Sequence, residues 1–314
     1  MRRILFVLIA LALPVGGALA YGEWKSPESA ELDDAARAEA PGEFVSLARG
    51  RTHYDLAGPD AGRLVVLVHG FSVPYYIWDS TAVALRSSGY RVLRYDLYGR
   101  GFSDRPRGRY DSSLYDGQLE ALLDSLEVTG RIDLVALSFG SFVASSFVAR
   151  HPDRVRTVTF VDPMSGAPEV PRVLRVPLLG SWLWTVSRVP DLPAGQMTDF
   201  LHPENHPTWI DRYLPQMRYR GFAHALLSSV LETSRVDFDD LFAGVAETGV
   251  PVMLIWGKQD QTVPFAMSEV LLRNIPSAEF VPVDSAGHLP HIEQAAFVNA
   301  VLTRFLEAHP ERTK

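Results

Sequence analysis

Cysteine is absent from the 314-residue chain. Disulfides and thiolate metal sites are therefore impossible, and a thiol cannot be the nucleophile of any reaction. The chain also lacks internal repeats, low-complexity tracts and long blocks of like charge. Hydrophobic residues make up 47% of the chain and charged residues 21%. That balance is typical of a globular protein rather than a disordered one.

Positive charge is not in excess either. The net charge is −7 at pH 7, with acidic and basic side chains interspersed. Because a mildly acidic surface does not attract a phosphate backbone, we expect no nucleic-acid partner. No Pro-, Gly- or Ser-rich linker divides the chain after residue 45. We therefore interpret this part as one domain that carries an insertion.

The first twenty residues differ in composition from the rest. Arg2 and Arg3 precede an unbroken apolar run, residues 4–13, and Ala18-Leu19-Ala20 offers small residues at the positions that a signal peptidase reads. We interpret residues 1–20 as a secretory signal cleaved after Ala20. The alternative is an uncleaved anchor, because the apolar segment is only slightly shorter than a membrane span. Residues 21–42 are predicted to be a polar tether, so the protein is expected to be exported or membrane-anchored.

From residue 43 onward, short apolar runs alternate with helix-like stretches. The predicted strands are 43–47, 51–56, 64–68, 90–95, 132–137, 155–161, 252–256 and 279–283, the first two being an antiparallel pair. The predicted helices are 78–88, 113–127, 139–150, 264–274 and 291–308. This alternation predicts an α/β fold with a mostly parallel eight-stranded sheet flanked by helices. In the last helix, the predicted core-facing stripe is Ile292, Ala295, Ala296, Val298, Leu302 and Phe305.

Residues 164–236 interrupt the alternation. They are rich in proline and aromatic residues and contain no predicted strand. Because this length is too great for a bare loop in a compact domain, we predict a helical insertion. Its apolar stretch at 170–186 could line a substrate pocket or touch a membrane surface. The alternative is that the stretch simply packs on the core.

A serine lies between a buried strand and a helix of small residues. Such a strand-to-helix turn exposes the hydroxyl of Ser138 above the sheet. The residues two before and two after it, Ala136 and Gly140, must be small because the two backbones nearly touch; glycine is usual at both. Ser138 is therefore the candidate nucleophile, and its alternative role is a helix cap.

A second motif, Val68-His69-Gly70-Phe71, directly follows the third predicted strand. Acyl transfer develops negative charge on the carbonyl oxygen, which two backbone N–H groups must meet. We predict that these are the N–H groups of Phe71 and of Phe139, the residue after the serine. His69 itself is predicted to shape the loop.

Two further loops supply a candidate acid and a candidate base. Asp260 follows the strand 252–256, and His288 follows the last strand. An aspartate in such a loop can orient an imidazole and stabilise its protonated form. Asp162, at the end of the sixth strand, is the alternative acid, and His291 is interpreted as the start of the last helix.

The chain order Ser138, Asp260, His288, with each residue after a strand of a parallel sheet, resembles the α/β-hydrolase fold family over about residues 43–310. Residues 96–104 resemble that family's D-x-x-G-x-G-x-S-D loop. We expect this loop to be structural, with its charges pairing among themselves. The resemblance also implies that the insertion at 164–236 is a lid.

The resemblance implies a serine hydrolase that cleaves carboxylic esters, as a carboxylesterase or lipase does, through an acyl-enzyme on Ser138. It implies no metal and no organic cofactor. The expected partner is a small-molecule ester or lipid, with membrane contact through the N-terminus or the lid. Hydrolysis of C–C, amide or lactone bonds remains an alternative, as does a non-catalytic binding module on the same fold.

Overall fold

One eight-stranded sheet organises the protein. The computed structural model describes residues 16–310. The strands are β1 (Glu43–Leu47), β2 (Gly50–Ala57), β3 (Leu64–Val68), β4 (Arg91–Tyr95), β5 (Ile132–Leu137), β6 (Val155–Val161), β7 (Val252–Gly257) and β8 (Glu279–Val283). Their spatial order is β1-β2-β4-β3-β5-β6-β7-β8. Pairing is antiparallel from β1 to β2 and from β2 to β4, and parallel elsewhere. This confirms the predicted fold class.

Helices cover both faces of the sheet. They are α1 (Asp34–Ala38), α2 (Asp79–Ser87), α3 (Ser112–Ser125), α4 (Phe139–Arg150), α5 (Leu179–Ser187), α6 (Leu192–Met197), α7 (Trp209–Met217), α8 (Phe222–Thr233), α9 (Phe238–Glu247), α10 (Ser268–Asn274), α11 (Pro290–Glu293) and α12 (Ala295–Ala308). Residues 16–25 are also helical. Side chains alternate between the faces along each strand, so that Val66 and Val68 join the core under α3, α4 and α9, while Val65 and Leu67 join the core under α2 and α12. Because both faces are covered, the central strands are continuous apolar runs.

The last helix departs from its prediction. The structure breaks the predicted helix 291–308 at Gln294, where φ is −122° and ψ is 44°. Val298 is buried as predicted, whereas Ala296 is exposed and Val301, which the prediction omitted, is buried. Leu302 and Phe305 are also buried as predicted, so the break displaces the predicted stripe only at its start, where Ala296 faces solvent.

The insertion predicted at 164–236 is helical. It contains α5 to α8 and short 3₁₀ turns, among them Arg172–Arg175, and the structure places no strand there. It leaves the sheet after β6, and α9 leads the chain back to β7. The core beneath α2 and α12 continues into the insertion through Trp184 and Tyr213. The insertion therefore packs on the domain as part of its hydrophobic core.

The segment predicted as a polar tether contacts this insertion. The N–H groups of Ser29 and Ala30 donate to the Arg218 carbonyl, at 2.8 and 3.0 Å. The Glu28 carboxylate accepts hydrogen bonds from the N–H groups of Gly221 and Ala223, at 3.0 and 2.6 Å, where α8 begins. A carboxylate there satisfies N–H groups that have no partner within the helix.

The predicted signal or anchor is described only in part. Residues 1–15 lie outside the described residues, so the role of the apolar run at 4–13 as a signal or anchor stays a prediction, as does cleavage after Ala20. Between residues 16 and 310, no helix is both long enough and apolar enough to cross a bilayer.

Gly140 offers a test of how closely α4 approaches the sheet. A Cβ atom at this position would lie 2.6 Å from the Val68 carbonyl oxygen and 2.7 Å from that of His69. Because both are backbone atoms of the sheet edge, we expect Gly140→Ala to lower the free energy of unfolding by about 1–3 kcal/mol. Urea denaturation measures this change.

The matched control is Gly117→Ala in α3. A Cβ atom there would meet nothing within 4 Å. Alanine is the better helix former, so this control is expected to gain about 0.5–1 kcal/mol. Equal stability of Gly140→Ala and the wild type would contradict the close approach.

Candidate active site

Ser138 lies on a strained turn between β5 and α4. Its φ is 50° and its ψ is −120°, a combination that non-glycine residues rarely adopt. Hydrogen bonds hold the turn: the Ser138 N–H donates to the Val161 carbonyl at 3.0 Å, and its carbonyl accepts from Ser141 at 2.9 Å and Met164 at 3.1 Å. The turn thus links β5, β6 and α4, and it sets the serine at the carboxyl edge of the sheet.

Ser138 lines a cavity of about 470 Å³ together with His288 and Phe71. The sheet edge forms its floor and the helical insertion forms much of its wall. The apolar side chains that the insertion contributes are Val170, Pro171, Leu174, Trp184, Leu192 and Val230. A mostly apolar cavity with some polar side chains in its lining, here including Glu169, Arg188 and Asp191, is the usual form of a small-molecule site.

His288 and Asp260 form a buried pair beside the serine. The Nδ1 atom of His288 lies 2.7 Å from Oδ2 of Asp260. The other carboxylate oxygen, Oδ1, accepts from the N–H groups of Thr262 at 2.8 Å and Val263 at 2.9 Å. The Asp260 carboxylate is thus fixed by its own loop, and it orients the imidazole so that Nε2 is left for another partner.

The pair changes the basicity of the imidazole. Burial alone would lower the pKa of His288. The hydrogen bond to Asp260 and the negative charges of Asp260 and Asp199 outweigh burial, so the pKa is raised above its ordinary value. His288 is therefore a stronger base than an isolated histidine.

Asp199, a residue of the insertion that was not predicted as a site residue, holds the histidine loop. Its carbonyl accepts from the His288 N–H at 2.8 Å, and its Oδ1 accepts from the Thr262 hydroxyl at 2.6 Å. Burial raises the pKa of its carboxyl group. One residue of the insertion thus touches both the His288 loop and the Asp260 loop.

Asp162, the alternative acid, is not bonded to the imidazole. It ends β6 fully buried at a φ of 41°, and its Oδ1 accepts from the Gly257 N–H at 2.8 Å. Burial and the nearby Asp260 charge raise its pKa well above the ordinary range. Asp162 is thus less readily ionised than an ordinary aspartate.

The side chains of Asp162, Asp260 and His288 also have the spacing of a metal site. Ligand atoms of Asp162, Asp260 and His288 lie within 4.8 Å of one another, and no other such group occurs between residues 16 and 310. However, the imidazole nitrogen and the carboxylate oxygen nearest each other already share a hydrogen bond. The arrangement suits a hydrogen-bonded pair better than a cation.

The two residues predicted for the oxyanion hole lie next to each other. The rings of Phe71 and Phe139 are 5.9 Å apart in an edge-to-face arrangement. Phe139 is the first residue of α4, where N–H groups have no acceptor within the helix. Within the described part of the chain, the N–H of Phe71 has no hydrogen-bond acceptor either. Both N–H groups are therefore free to meet a ligand oxygen.

Arg100 was not singled out in the sequence, and it fixes the Phe71 loop. Its buried guanidinium donates from Nε to the Phe71 carbonyl at 2.8 Å and from Nη2 to the Ser229 hydroxyl of α8 at 2.9 Å. It lies 5.6 Å from the Phe71 ring centre and 5.3 Å from that of Phe139. No carboxylate between residues 16 and 310 forms an ion pair with it. Nothing in the sequence marks this arginine as buried.

The charges of the loop at 96–104 do not pair among themselves, so that expectation was wrong. Asp96 accepts from Nδ1 of His53 on β2 at 2.7 Å, and Asp104 pairs with Arg37 of α1. Sequence spacing suggested local pairing, but Asp96 and Asp104 pair with side chains that precede the loop in the chain.

The two other histidines near the site are structural. His69 lies 2.8 Å from the Gly70 carbonyl through Nδ1 and accepts from the Leu97 N–H at 2.9 Å. Burial lowers its pKa to about 4. His291 was predicted to start the last helix, but it lies in the separate short helix α11, which begins at Pro290; burial lowers its pKa to about 3. Both are neutral at physiological pH.

A nucleophile turn at the carboxyl edge of a mostly parallel sheet defines an α/β-hydrolase. Comparison with protein families agrees, because residues 65–301 match the model of the alpha/beta hydrolase family. The chain belongs to this family.

Individual relatives are more distant. The chain is 28% identical over 258 residues to the pimeloyl-[acyl-carrier protein] methyl ester esterase of Neisseria meningitidis, covering 79% of this chain and 95% of that protein. A thermophilic esterase from Thermogutta terrifontis superposes with a TM-score of 0.73 at 24% identity, over 86% of this chain and all of the other. An enol-lactonase from Burkholderia xenovorans also gives 0.73, at 22% identity, over 84% and 100%. The two structures share the fold.

Proposed function

We propose that the protein is a serine hydrolase that cleaves carboxylic esters, with Ser138 as nucleophile, His288 as base and Asp260 as the acid that orients it. The observation that carries the proposal is the 2.7 Å contact between His288 and Asp260, in the cavity that Ser138 also lines. The methyl ester esterase of Neisseria supports esters as the substrate class.

In the proposed reaction, Nε2 of His288 takes the proton of the Ser138 hydroxyl as Oγ attacks the ester carbonyl carbon. The C–O bond to the alcohol then breaks, and the alcohol leaves with that proton. Water, activated by the same imidazole, attacks the acyl-enzyme and releases the carboxylic acid and the free serine. Asp260 stays ionised and stabilises the imidazolium formed in each half-reaction.

Negative charge on the carbonyl oxygen would be met by the N–H groups of Phe71 and Phe139. Arg100 supports this arrangement in two ways. Its bond to the Phe71 carbonyl orients the loop that carries the Phe71 N–H, and its positive charge lies behind both phenyl rings. Arg100 is not among the residues that line the cavity of Ser138, so we propose it as a positioning residue.

The first test is hydrolysis of p-nitrophenyl esters from acetate to palmitate. We expect activity on at least one ester and its loss in Ser138→Ala, because the only atom removed is the nucleophile. Ser145→Ala is the matched control: Ser145 is buried in the same helix, and its hydroxyl has no hydrogen-bond partner. Activity that peaks at acetate would favour a short-chain esterase, and activity at palmitate a lipase.

Folded protein without activity on any ester would count against the proposal. A fluorophosphonate probe then separates the alternatives. Labelling that depends on Ser138 would point to a serine hydrolase of C–C, amide or lactone bonds, and absent labelling would point to a binding module.

The choice of acid is tested by paired substitutions. Asp260→Asn removes the charge and presents the wrong tautomer of His288, so turnover is expected to fall by roughly 10⁴-fold. Asp162→Asn keeps a side chain of the same size at a position that does not bond the imidazole, and it is expected to change turnover little. Steady-state kinetics on the best ester measures both. The opposite ranking would make Asp162 the acid.

The pH profile gives the pair a second readout. His288 must be neutral to accept a proton, so activity is lost as pH falls through its pKa. Because that pKa is raised, the acidic limb of kcat/KM in the wild type should lie above the ordinary histidine value of about 6.5. In Asp260→Asn the acidic limb of the residual activity should lie at lower pH. Burial lowers the pKa of His288, and the Asp260 charge no longer offsets it. A limb unchanged by the substitution would argue against the pairing.

Arg100→Lys tests the support of the oxyanion loop. Lysine keeps the charge but loses the planar set of donors that reaches Phe71 and Ser229 together. Displacing an oxyanion donor is expected to lower kcat about 10²-fold with little change in KM. Arg105→Lys is the control, since Arg105 donates to the Gly101 and Ser103 carbonyls in the same loop but not to Phe71. Equal losses of kcat in the two variants would reduce Arg100 to a general structural role.

A further inference from the structure

An exposed apolar surface lies on the outer side of the insertion. Its members are Val173, Val176, Leu178 and Leu179. Leu178 is 86% exposed and has a φ of 65°, a left-handed conformation that is unfavourable for a branched side chain. Folding gains nothing from an exposed leucine at such a position. The packing of this domain therefore does not account for the exposed apolar surface.

The helix at residues 16–25 extends this surface. It packs on α5 through Trp182, whose Nε1 donates to the Ala18 carbonyl at 2.7 Å. Gly22 allows this close approach, because a Cβ atom there would lie 2.9 Å from the indole ring. Trp182 is three residues after Leu179 in α5, so these two side chains lie on one side of the helix. The helix 16–25 is thus continuous with the apolar surface.

Leu19, Tyr21 and Trp24, which are exposed on this helix together with Glu23, are of the residue types found at a membrane interface. Leu19 is 62% exposed and Trp24 73% exposed, and the Tyr21 ring lies 5.8 Å from Trp24 and 6.4 Å from Trp182. Aromatic residues with one polar end are enriched where lipid meets water. The Lys25 ammonium lies 5.0 Å from the Trp24 ring. Its charge can reach phosphates while the rings enter the lipid.

The chain that precedes this helix favours a bilayer over a protein partner. Residues 4–13 are ten apolar residues in succession, directly after Arg2 and Arg3. A segment that is apolar on every side cannot be covered by a single protein surface, whereas a bilayer covers all of it. Arg172 and Arg175, exposed beside the surface, form no ion pair among residues 16–310 and suit lipid phosphates.

We propose that, in the chain that keeps its N-terminal segment, the exposed apolar surface, made of Val173, Val176, Leu178 and Leu179 with the helix 16–25, docks on a phospholipid bilayer. Leu174, between two of its members, lines the cavity of Ser138, and Gly180 of α5 packs against the Leu174 carbonyl. The wall of the cavity and the docking surface are thus two sides of the same elements. Where the proposed ester hydrolysis also holds, this docking would place the cavity beside its lipid substrate.

The absence of cysteine makes the test direct. The full chain carrying Leu178→Cys is labelled with a nitrobenzoxadiazole fluorophore and reconstituted into vesicles of phosphatidylcholine and phosphatidylglycerol. Emission is compared with that in vesicles whose acyl chains are brominated, because bromine quenches only a fluorophore in contact with lipid. Val83→Cys is the matched control, since Val83 is an exposed apolar residue, 62% exposed, on α2. The readout needs no catalytic activity.

Quenching of the label at 178, with the label at 83 unquenched, is the expected result. Vesicle-bound protein with neither label quenched would overturn the proposal. The N-terminus alone would then hold the chain on the vesicle, and the apolar surface would face another segment, a second copy or water. Failure to bind vesicles would overturn it too. Quenching of both labels would show non-specific adsorption and contradict a defined docking surface. None of these outcomes bears on ester hydrolysis, which the p-nitrophenyl assay tests separately.

Discussion

The turn at Ser138 constrains the elements around it. A non-glycine residue at φ 50° is costly unless its neighbours fix it, and here hydrogen bonds to Val161, Ser141 and Met164 do so. The turn also brings α4 against the backbone of β3, where the Val68 and His69 carbonyls leave no room for a side chain at Gly140. The same approach sets the loop of Phe71 beside the start of α4. A single strained residue thus fixes the relation between the candidate nucleophile and both candidate oxyanion donors.

The insertion contributes contacts that hold the residues of the candidate site in place. Its Asp199 carbonyl holds the backbone of His288, and its Ser229 hydroxyl accepts from Arg100, which in turn holds Phe71. The segment before β1 is tied to the same insertion through Glu28. A shift of the insertion would therefore be felt at the histidine loop and at the oxyanion loop together. The proposed bilayer contact acts on this same layer of the structure.

Sequence reasoning succeeded where the signal is local. Strands such as β5 and β6 were predicted to the residue, because a strand buried on both faces is a continuous apolar run with sharp ends. The 2.7 Å contact between His288 and Asp260 followed from two loops that leave neighbouring parallel strands. Arg100 and Asp199 were missed because their roles depend on contacts with residues far along the chain. Hydrophobic periodicity did not predict the break of the last helix at Gln294. The ion pairs of Asp96 and Asp104 could not be predicted from their loop alone, because their partners lie on elements that precede it in the chain.

Three carboxyl groups, those of Asp162, Asp199 and Asp260, lie near the His288 imidazole at this sheet edge, and their environments differ. Asp260 receives two backbone N–H groups and the His288 ring, whereas Asp162 has one N–H group and Asp199 one hydroxyl. Burial and mutual repulsion raise the pKa values of Asp162 and Asp199. Asp260 is the carboxyl group with the most hydrogen-bond partners. That group is bonded to Nδ1 of the imidazole, so the negative charge lies where an imidazolium formed during catalysis would need it.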